Sequence, residues 1–478
     1  MKKILMLLII PLLTNFYCFG EHVISVNVKS FGAIPNDGKD DTQSFQKGID
    51  YLALKKGGTL IIPKGSYNIT HLKFLGKKYS NITMVGDSSV ILQTLPRERS
   101  LLANGFKTFA ERNAADGCFV FDAEASNQIN DLHSIKNITM RGLNFVSNVS
   151  TKGFDELLHQ VSAHGVSNFN VENCNFIGFH GDGIAINGAT DFSRNRNAYN
   201  KNINIKNCKF DGLNNDNRQG ISIYYSDGFV IDNCHFQNVT RGDMPGAIDI
   251  EPDMDSNVSR NGKITNCTFK NIKGIAAIHI VIRKSSAENN FSNKNFVINN
   301  CKFENVNSSI GIAGNDQFLT FNKAYKTVIF KNSTVKNAYT LMEMRKAYGV
   351  EIDNVKFENI RNEYNNVVSD GGAKDITFKN CLFDGIKNPN GLGFTGITFE
   401  INFLSNVFKN FESNAITINA ISGVGKISKN QFLSTKNKGG FPLITQYYAN
   451  EAAVKQAVIN ENKSSGNFSA INLNFFNK

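Results

Sequence analysis

The chain has 478 residues, of which 41% are hydrophobic and 19% are charged. That hydrophobic fraction excludes an intrinsically disordered chain, and no segment beyond the N-terminus is apolar over the ~18 residues that a transmembrane helix needs. The composition includes 39 glycines and 38 phenylalanines, but only 8 prolines and no tryptophan. Together with abundant asparagine, it is typical of a chain with many tight turns in left-handed conformations.

The N-terminus predicts an exported protein. Lys2 and Lys3 precede an apolar run, Ile4–Leu13, and small residues follow at Cys18 and Gly20. This order is that of a secretory signal peptide cleaved after Gly20, with a buried helix or a lipoprotein as the alternatives. Cleavage changes the net charge from +11 to +9, because it removes two lysines. A basic exported protein fits an acidic glycan or an anionic envelope, or simply has a dispersed basic surface, and does not favour nucleic acid as a partner.

One pattern recurs through most of the chain: a strand, then an asparagine, then Cys-x-Phe. Residues 171–176 read Val-Glu-Asn-Cys-Asn-Phe, and seven later copies follow at intervals of 22 to 34 residues, with Ser333 and Val355 replacing the cysteine in two of them. Repeats of this length indicate a solenoid, and short alternating segments rich in β-branched residues indicate strands. The shortest repeat has room for three short strands and three turns, which predicts a parallel β-helix.

Within each coil, the Cys and Phe of the motif share parity and are predicted to point into the core. The preceding asparagine breaks the alternation and is predicted to form a corner, where stacked amides hydrogen-bond from coil to coil. Two residues after the Phe, asparagine or glycine predicts a left-handed backbone. Because Ser333 and Val355 replace the cysteine, and stacked Cβ vectors run parallel, we expect buried free thiols rather than disulfides or metal ligands.

Residues 26–67 are predicted to cap the N-terminal end of the β-helix, whose open sheet edge needs a cover. Val26–Lys29 reads as a strand, and Asp41 with Thr42 is expected to N-cap an amphipathic helix over residues 42–54. The apolar face of this helix consists of Phe45, Ile49 and Leu52.

The cap segment also resembles the opening of a known family. The matching residues are Phe31-Gly32-Ala33, Asp37-Gly38, Asp40-Asp41-Thr42, Gly57-Gly58-Thr59, Pro63 and Gly65-x-Tyr67. They are similar to the start of the rhamnogalacturonase/epimerase-like pectate lyase family, in the pectate lyase-like and polygalacturonase-like superfamily. The resemblance implies an all-β fold, a single-stranded right-handed parallel β-helix with an N-terminal helical cap, and a glycan-handling groove along one sheet. Because members hydrolyse, eliminate, epimerise or only bind, it does not define the chemistry.

The chain is therefore predicted to be a single β-helix domain that follows the signal peptide. The expected parts are a signal peptide at 1–20, the domain at 21–478, a cap at 21–70, a loop insertion at 95–165 with a short helix near 154–162, regular coils at 166–440, and closing coils or a cap at 440–478. Since no coiled-coil segment is present, the sequence leaves a monomer and a homotrimer equally open.

Six strands that follow the variable loop of each coil are predicted to present two columns of outward side chains on one sheet. The first column is Ala185, Ser222, Asp249, His279, Gly311 and Glu343, and the second is Asn187, Tyr224, Glu251, Val281, Ala313 and Arg345. Polar groups concentrate around Asp249, Glu251 and His279, either as a catalytic centre or as an ordinary solvated strand face.

Asp249 and Glu251 are the candidate catalytic carboxyls. At strand rise their Cα atoms lie about 6.6 Å apart, and two such groups divide acid and base roles when their environments separate their pKa values. This backbone spacing does not distinguish an inverting glycosidase from a retaining one. His279 is predicted to lie beside Asp249 and to tune it, transfer a proton or bind a sugar hydroxyl. The candidate substrate-binding residues are Asp182, Arg218, Tyr224, Arg283, Glu343 and Arg345, in which arginine suits a carboxylate or sulfate.

The chain departs from the polygalacturonase pattern. It contains His180-Gly181-Asp182-Gly183 and Ile282-Arg283-Lys284 but lacks Asn-Thr-Asp, and its paired Asp-Asp lies in the cap. The polygalacturonase active site is therefore not transferred residue by residue. A hydrolase would need no cofactor, whereas in a lyase Asp249, Glu251 and Asp253 would be Ca²⁺ ligands.

Three functions follow from these observations. The first is an exported glycoside hydrolase acting on an acidic, uronate-containing polysaccharide, with Asp249 and Glu251 as acid and base. The second is a polysaccharide lyase or C5-epimerase on uronate chains, which a Ca²⁺ requirement would favour. The third is a non-catalytic surface solenoid that binds glycans. All three place the protein outside the cytoplasm, in the periplasm, at the cell surface or in the medium.

Overall fold

The structure is a computed structural model, and the parts of the chain that it describes are residues 24–94, 117–123, 134–148, 153–155, 158–187, 200–213, 216–252, 259–282, 295–314, 326–361, 372–388, 391–394, 398–411, 414–420, 425–434, 443–447 and 458–466. The predicted signal peptide lies outside these residues. No helix in the described ranges is long and apolar enough to cross a bilayer.

The chain winds as a right-handed parallel β-helix, as predicted, with each regular coil adding one strand to each of three parallel sheets, which we name A, B and C. Sheets A and B share the long strands Ile82–Gln93 and Ile135–Val146, which bend from one sheet into the other. Sheet A otherwise contains Ser25–Asn27, Gly58–Ile62, Val166–Glu172, Asn200–Lys206, Ser226–Asp232, Ser259–Thr265, Phe296–Asn299, Val328–Lys331, Ala347–Asp353, Ala373–Lys379, Thr398–Leu404, Lys426–Ser428 and Val458–Asn460.

Sheets B and C complete the coils. Sheet B contains Ser66–Ile69, Asn175–Ile177, Lys209–Asp211, His235–Gln237, Thr268–Ile272, Lys302–Val306, Thr334–Lys336, Lys356–Ile360, Leu382–Ile386, Val407–Lys409, Gln431–Ser434 and Lys463–Gly466. Sheet C contains Leu72–Leu75, Gly117–Asp122, His159–His164, Ile184–Asn187, Ile221–Ile223, Ile248–Ile250, Ile278–Ile282, Ile310–Gly314 and Glu343–Arg345, and a separate group of Leu392–Phe394, Ile416–Ala420 and Leu443–Tyr447 continues the same coil position.

The interior between the sheets is a continuous column of buried apolar side chains. The motif phenylalanines of sheet B stack ring on ring, with neighbouring centroids 4.7–5.0 Å apart along Phe145, Phe176, Phe210, Phe236, Phe269 and Phe303. Offset stacking of this kind adds to the hydrophobic gain of burying each ring. The motif cysteines beside them are buried free thiols, which confirms the prediction from the repeat.

The corner between sheets A and B is built from the motif asparagines. Their φ values lie between 51° and 56° at Asn173, Asn207, Asn233, Asn266, Asn300, Asn332, Asn354 and Asn380. Amide ladders link the coils, as predicted: Asn233 Nδ2 donates to Asn207 Oδ1 over 2.9 Å, and Asn300 Nδ2 donates to Asn266 Oδ1 over 2.7 Å. The left-handed position after the Phe is confirmed in most coils, but near Gly212 it shifts to Leu213, where φ is 60°.

The N-terminal cap contains one α-helix, Thr42–Leu54, with the predicted bounds and buried face. Two short 3-10 helices, Val28–Phe31 and Lys77–Tyr79, flank it in sequence. One expectation was wrong: Asp41 precedes the helix but makes no side-chain cap, because its carboxylate accepts from Ile34 N over 2.9 Å. Asp40 instead accepts from Thr42 N over 2.9 Å.

The stretch predicted as a loop insertion, residues 95–165, contains strands of all three sheets. Gly117–Asp122 and Ile135–Val146 continue the coils, so regular winding begins before residue 166. The helix expected near residues 154–162 is also wrong, because His159–His164 is a strand of sheet C. All six of its side chains are buried although four of them are polar. Burial therefore does not alternate along this strand, even though Gln160, Ser162 and His164 alternate with Val161 and Ala163 in the sequence.

Candidate active site

The site lies on the outward face of sheet C, where strand register brings single residues from successive coils side by side. Asp249 pairs with Ser222 on one side and His279 on the other, and Gly311 and Glu343 follow. The predicted first outward column is therefore confirmed. Tyr224 and Glu251 directly follow their strands, and the backbone N–H of each is bonded to the preceding coil.

Asp249 is the central acceptor of the site. Its side chain is fully buried, and its Oδ1 lies 3.1 Å from His279 Nδ1. The carboxyl of Glu251, two residues further along the chain, lies near enough for the charge of Asp249 to raise its pKa. With Asp249 ionised, His279 donates to it from Nδ1, so the imidazole has a defined proton position.

The two neighbours of Asp249 have pKa values shifted in opposite directions. Burial, followed by the charge and hydrogen bond of Asp249, raises the pKa of Glu251 to about 7, against smaller lowering effects of His279 and Arg218. Burial lowers the pKa of His279, and the carboxylates of Glu251 and Glu343 only partly oppose this. Near pH 7 the site therefore holds a neutral imidazole beside a carboxyl group that is about half protonated.

The two carboxyl groups influence each other's titration. The charge of Asp249 raises the pKa of Glu251, so the two groups titrate as one coupled unit rather than as independent acids. Glycosidases hold their two carboxyls about 5–5.5 Å or 6.5–9.5 Å apart, on either side of the scissile bond. The rise of two strand residues between the Cα atoms does not by itself place this pair in either class.

A second group of charged side chains adjoins this unit. Arg218 Nη2 donates to the Tyr224 hydroxyl over 2.8 Å, and its Nε lies 3.4 Å from Asp182 Oδ1. Asp182 is fully buried, and its backbone N–H donates to His159 Nδ1 over 2.9 Å. Asp182 thus holds the guanidinium in place, and the effect of Arg218 on the pKa of Glu251 shows that its charge reaches the acid–base centre.

The structure brings together six of the predicted site residues: Asp182, Arg218, Tyr224, Asp249, Glu251 and His279. Glu343 and Arg345 lie two strands beyond His279 and form an ion pair with each other at 2.7 Å, with Arg345 67% exposed. They influence His279 only through their charges. Arg283 and Asp253 lie outside the described residues.

Sequence analysis missed three polar residues of this face. His159 is bound to Asp182, and Ser162 Oγ lies 2.7 Å from His164 Nε2 three strands from Asp249. All three occupy the strand that was expected to be helical, although the alternation of Gln160, Ser162 and His164 with Val161 and Ala163 was a strand signal in the sequence. Within the ranges that the structure describes, no three His, Cys, Asp or Glu side chains are grouped to hold a metal ion.

Fold and site together define a parallel β-helix protein with a buried Asp249–His279 pair beside Glu251 on the outward face of one sheet. The sequence matches the family described as "Rhamnogalacturonase A/epimerase, pectate lyase-like" over residues 25–268, just over half of the chain. The protein belongs to this family. A comparison with the curated proteins gives no match.

Solved structures of similar fold come from several kinds of protein. Tailspike protein 3 of bacteriophage CBA120 is 11% identical with a TM-score of 0.48, over 94% of this chain and 62% of the tailspike, so this chain spans less than two thirds of that protein. The A-module of the mannuronan C-5 epimerase AlgE6 from Azotobacter vinelandii is 15% identical (TM-score 0.44; 92% and 99% covered). The family 28 exopolygalacturonase from Yersinia enterocolitica is 14% identical (TM-score 0.47; 93% and 79% covered).

Proposed function

We propose that the protein is an exported enzyme that cleaves a uronate-containing polysaccharide by β-elimination. The observation that carries this proposal is the hydrogen bond of Asp249 to His279 next to Glu251, whose pKa is raised to about 7. The two neighbours of Asp249 provide a neutral base and a protonated acid from one face of one sheet. Membership of a family named for rhamnogalacturonase and pectate lyase-like proteins supports a polysaccharide as substrate.

Each residue has one role in the proposed step. His279, with Nδ1–H held by Asp249, uses its Nε2 lone pair to remove the proton α to the uronate carboxylate. The electron pair forms a carbon–carbon double bond as the bond to the glycosidic oxygen breaks. Glu251 protonates the leaving oxygen, and solvent then restores the proton of Glu251 and takes that of His279. Return of a proton to the opposite face without cleavage would give C5-epimerisation.

Arg218 is proposed to bind the uronate carboxylate. A bidentate guanidinium contact stabilises the negative charge that grows on this group when the neighbouring proton leaves. Asp182 and Tyr224 already fix the orientation of the Arg218 side chain. We therefore propose that the reaction needs no cofactor, and that loss of activity in a calcium chelator would assign charge neutralisation to Ca²⁺ instead.

Hydrolysis is the second candidate, favoured by the pKa of about 7 at Glu251. A general acid that remains protonated near neutral pH is what a glycosidase needs for its leaving group. In this mechanism His279 would activate water. The elimination proposal is preferred because all three side chains project from the same sheet, whereas an inverting hydrolase places acid and base on opposite faces of the sugar.

The test incubates residues 21–478 with acidic and neutral polysaccharides while reducing ends and unsaturated uronate absorbance are followed together. Elimination predicts that both signals rise in parallel on a uronate polymer, and that Glu251→Gln suppresses both while the exposed sheet B control Glu304→Gln does not. Reducing ends without absorbance would show hydrolysis. Binding without either product would leave C5-epimerisation, read as inversion at C5, or a non-catalytic solenoid.

A further inference from the structure

A stripe of cationic and aromatic side chains runs along the end of the sheet B strands and shares no residue with the acid–base centre. Backbone hydrogen bonds of 2.9–3.1 Å align its members. The N–H of each member donates to the carbonyl oxygen of the residue just before the equivalent position in the preceding coil. The same position in five successive coils carries Lys273, Asn307, Tyr339, Arg361 and Lys387. We call these five residues the basic stripe.

The basic stripe contains three cations and no carboxylate. Lys273, Arg361 and Lys387 are exposed, and within the described chain none of them pairs with an acidic side chain, although Arg361 Nη2 donates to Asn337 O over 3.2 Å. In sheet B itself, by contrast, charges alternate along one column, where Lys270, Glu304, Lys336 and Glu358 are register neighbours. The basic stripe is therefore a row of uncompensated positive charge.

An open cleft of about 630 Å³ lies along the basic stripe, with Lys273, Asn307, Tyr339 and Arg361 in its lining. Pockets of this size are typical of small-molecule and saccharide sites. Tyr339 is 44% exposed and, among the described rings, has no aromatic neighbour. An exposed ring flanked by a guanidinium and amide groups offers a sugar both a stacking face and hydrogen-bond partners.

The cleft adjoins the acid–base centre through one side chain. Ile275 follows the cleft residue Gly274 and is 37% exposed. A Cβ placed on Gly311 would lie 3.4 Å from Ile275 and 3.2 Å from His279 Cδ2. The side chains of Ile275 and His279 therefore lie next to the same glycine. A polymer chain bound at His279 that continues over Ile275 enters the cleft.

We propose that the basic stripe is a distal binding site for the same polysaccharide chain, and that it takes a run of sugars carrying carboxylate or sulfate groups. Neighbouring coils are about 4.8 Å apart, so the charges of Lys273 and Arg361, three coils apart, span roughly 14 Å and contact several consecutive sugars. This inference rests on the acidic polymer proposed above as substrate.

The test compares two triple variants with equal charge change. Lys273→Gln/Arg361→Gln/Lys387→Gln removes the stripe cations, and Lys209→Gln/Lys302→Gln/Lys356→Gln removes exposed lysines from sheet B. Binding of size-fractionated oligogalacturonates and of a neutral cello-oligosaccharide is measured by calorimetry, with product formation assayed separately. Because each exposed charge contact contributes modestly, we expect the stripe variant to lose about tenfold in affinity for long acidic chains only. Tyr339→Ala should lose roughly threefold, and melting temperatures should not change.

The outcomes separate the two proposals. Affinity that depends on the stripe, with or without product, supports the distal site, and absence of product then counts against the proposed catalysis alone. Equal losses in the two triple variants, or no loss in either while product still forms, would overturn the distal site and leave the enzyme proposal intact. Wild-type protein that neither binds nor converts acidic chains would overturn both.

Discussion

The corner between sheets A and B and the outward face of sheet C use the same coil stacking in opposite ways. At the corner the coils repeat the same side chain, so that asparagines such as Asn233 and Asn207 contact a copy of themselves, as do the stacked phenylalanines of sheet B beside them. On sheet C, the register neighbours Ser222, Asp249, His279 and Gly311 differ in every coil. Where the same residue recurs in every coil, the stacked side chains satisfy one another's hydrogen bonds and pack closely. Where the residue differs from coil to coil, as on sheet C, unlike groups become neighbours and their pKa values shift.

The largest expected effect comes from Asp249→Asn. The amide carries no charge, so the His279 imidazole loses the carboxylate that fixes its tautomer, and Glu251 loses the neighbouring charge that raises its pKa. A change of this kind in other Asp–His pairs costs roughly 10³–10⁴ in turnover, and we expect a similar loss with little change in melting temperature. The matched control is Asp232→Asn, on sheet A, whose carboxylate accepts from Asn266 over 2.7 Å. A control that loses as much turnover would contradict the assigned roles.

Phe236→Ala should break the repeating region without altering the chemistry. The ring stacks between Phe210 and Phe269, with centroids 4.7 and 5.0 Å away, and is almost completely buried. Truncation of a buried phenylalanine costs about 3–5 kcal/mol, which denaturant unfolding would measure. The folded fraction should keep its pH profile. A shifted profile would mean that the core column, and not the local contacts on sheet C, sets the pKa values.

Asn266→Ala separates the two contributions of a corner asparagine. Asn266 accepts from Asn300 and donates to Asp232, and its φ is 56°. Loss of the amide and the left-handed strain of alanine together should destabilise by about 2 kcal/mol. Asn266→Gly tolerates the same φ and should lose only about 1 kcal/mol. Equal losses in both variants would show that the amide ladder alone matters.

Gly311→Ala is expected to have the smallest effect, because it adds one methyl group to the face of sheet C that carries the site. Its φ is ordinary, but an added Cβ would lie 3.1–3.4 Å from Ala276, His279 and Ile275. Displacement of the imidazole by a few tenths of an ångström should lower kcat about tenfold, equivalent to roughly 1.4 kcal/mol, with KM and stability nearly unchanged. Gly385→Ala, at a left-handed glycine of sheet B with φ 73°, should instead lower stability and leave kcat intact.

The sequence predicts the repeating part of the molecule better than it predicts the site on sheet C. The repeat predicts coil, corner and outward columns, because one motif recurs with fixed parity, and the helix Thr42–Leu54 follows from its apolar period. The sequence does not show that burial and the charge of Asp249 raise the pKa of Glu251, since both depend on how the coils pack. It also does not show the contact of His159 with Asp182, because the two residues meet only when successive coils stack.

The central claim is that burial, together with the charge of Asp249, keeps Glu251 protonated to about pH 7. Difference infrared spectroscopy between the wild-type protein and Glu251→Gln, recorded across pH, isolates the carboxylic acid band of this one side chain. We predict that the band is present at pH 5 and disappears with a midpoint near pH 7, and that Asp249→Asn moves the midpoint downward. A wild-type midpoint near 4.5, the ordinary value for glutamate, would contradict the acid–base centre described here.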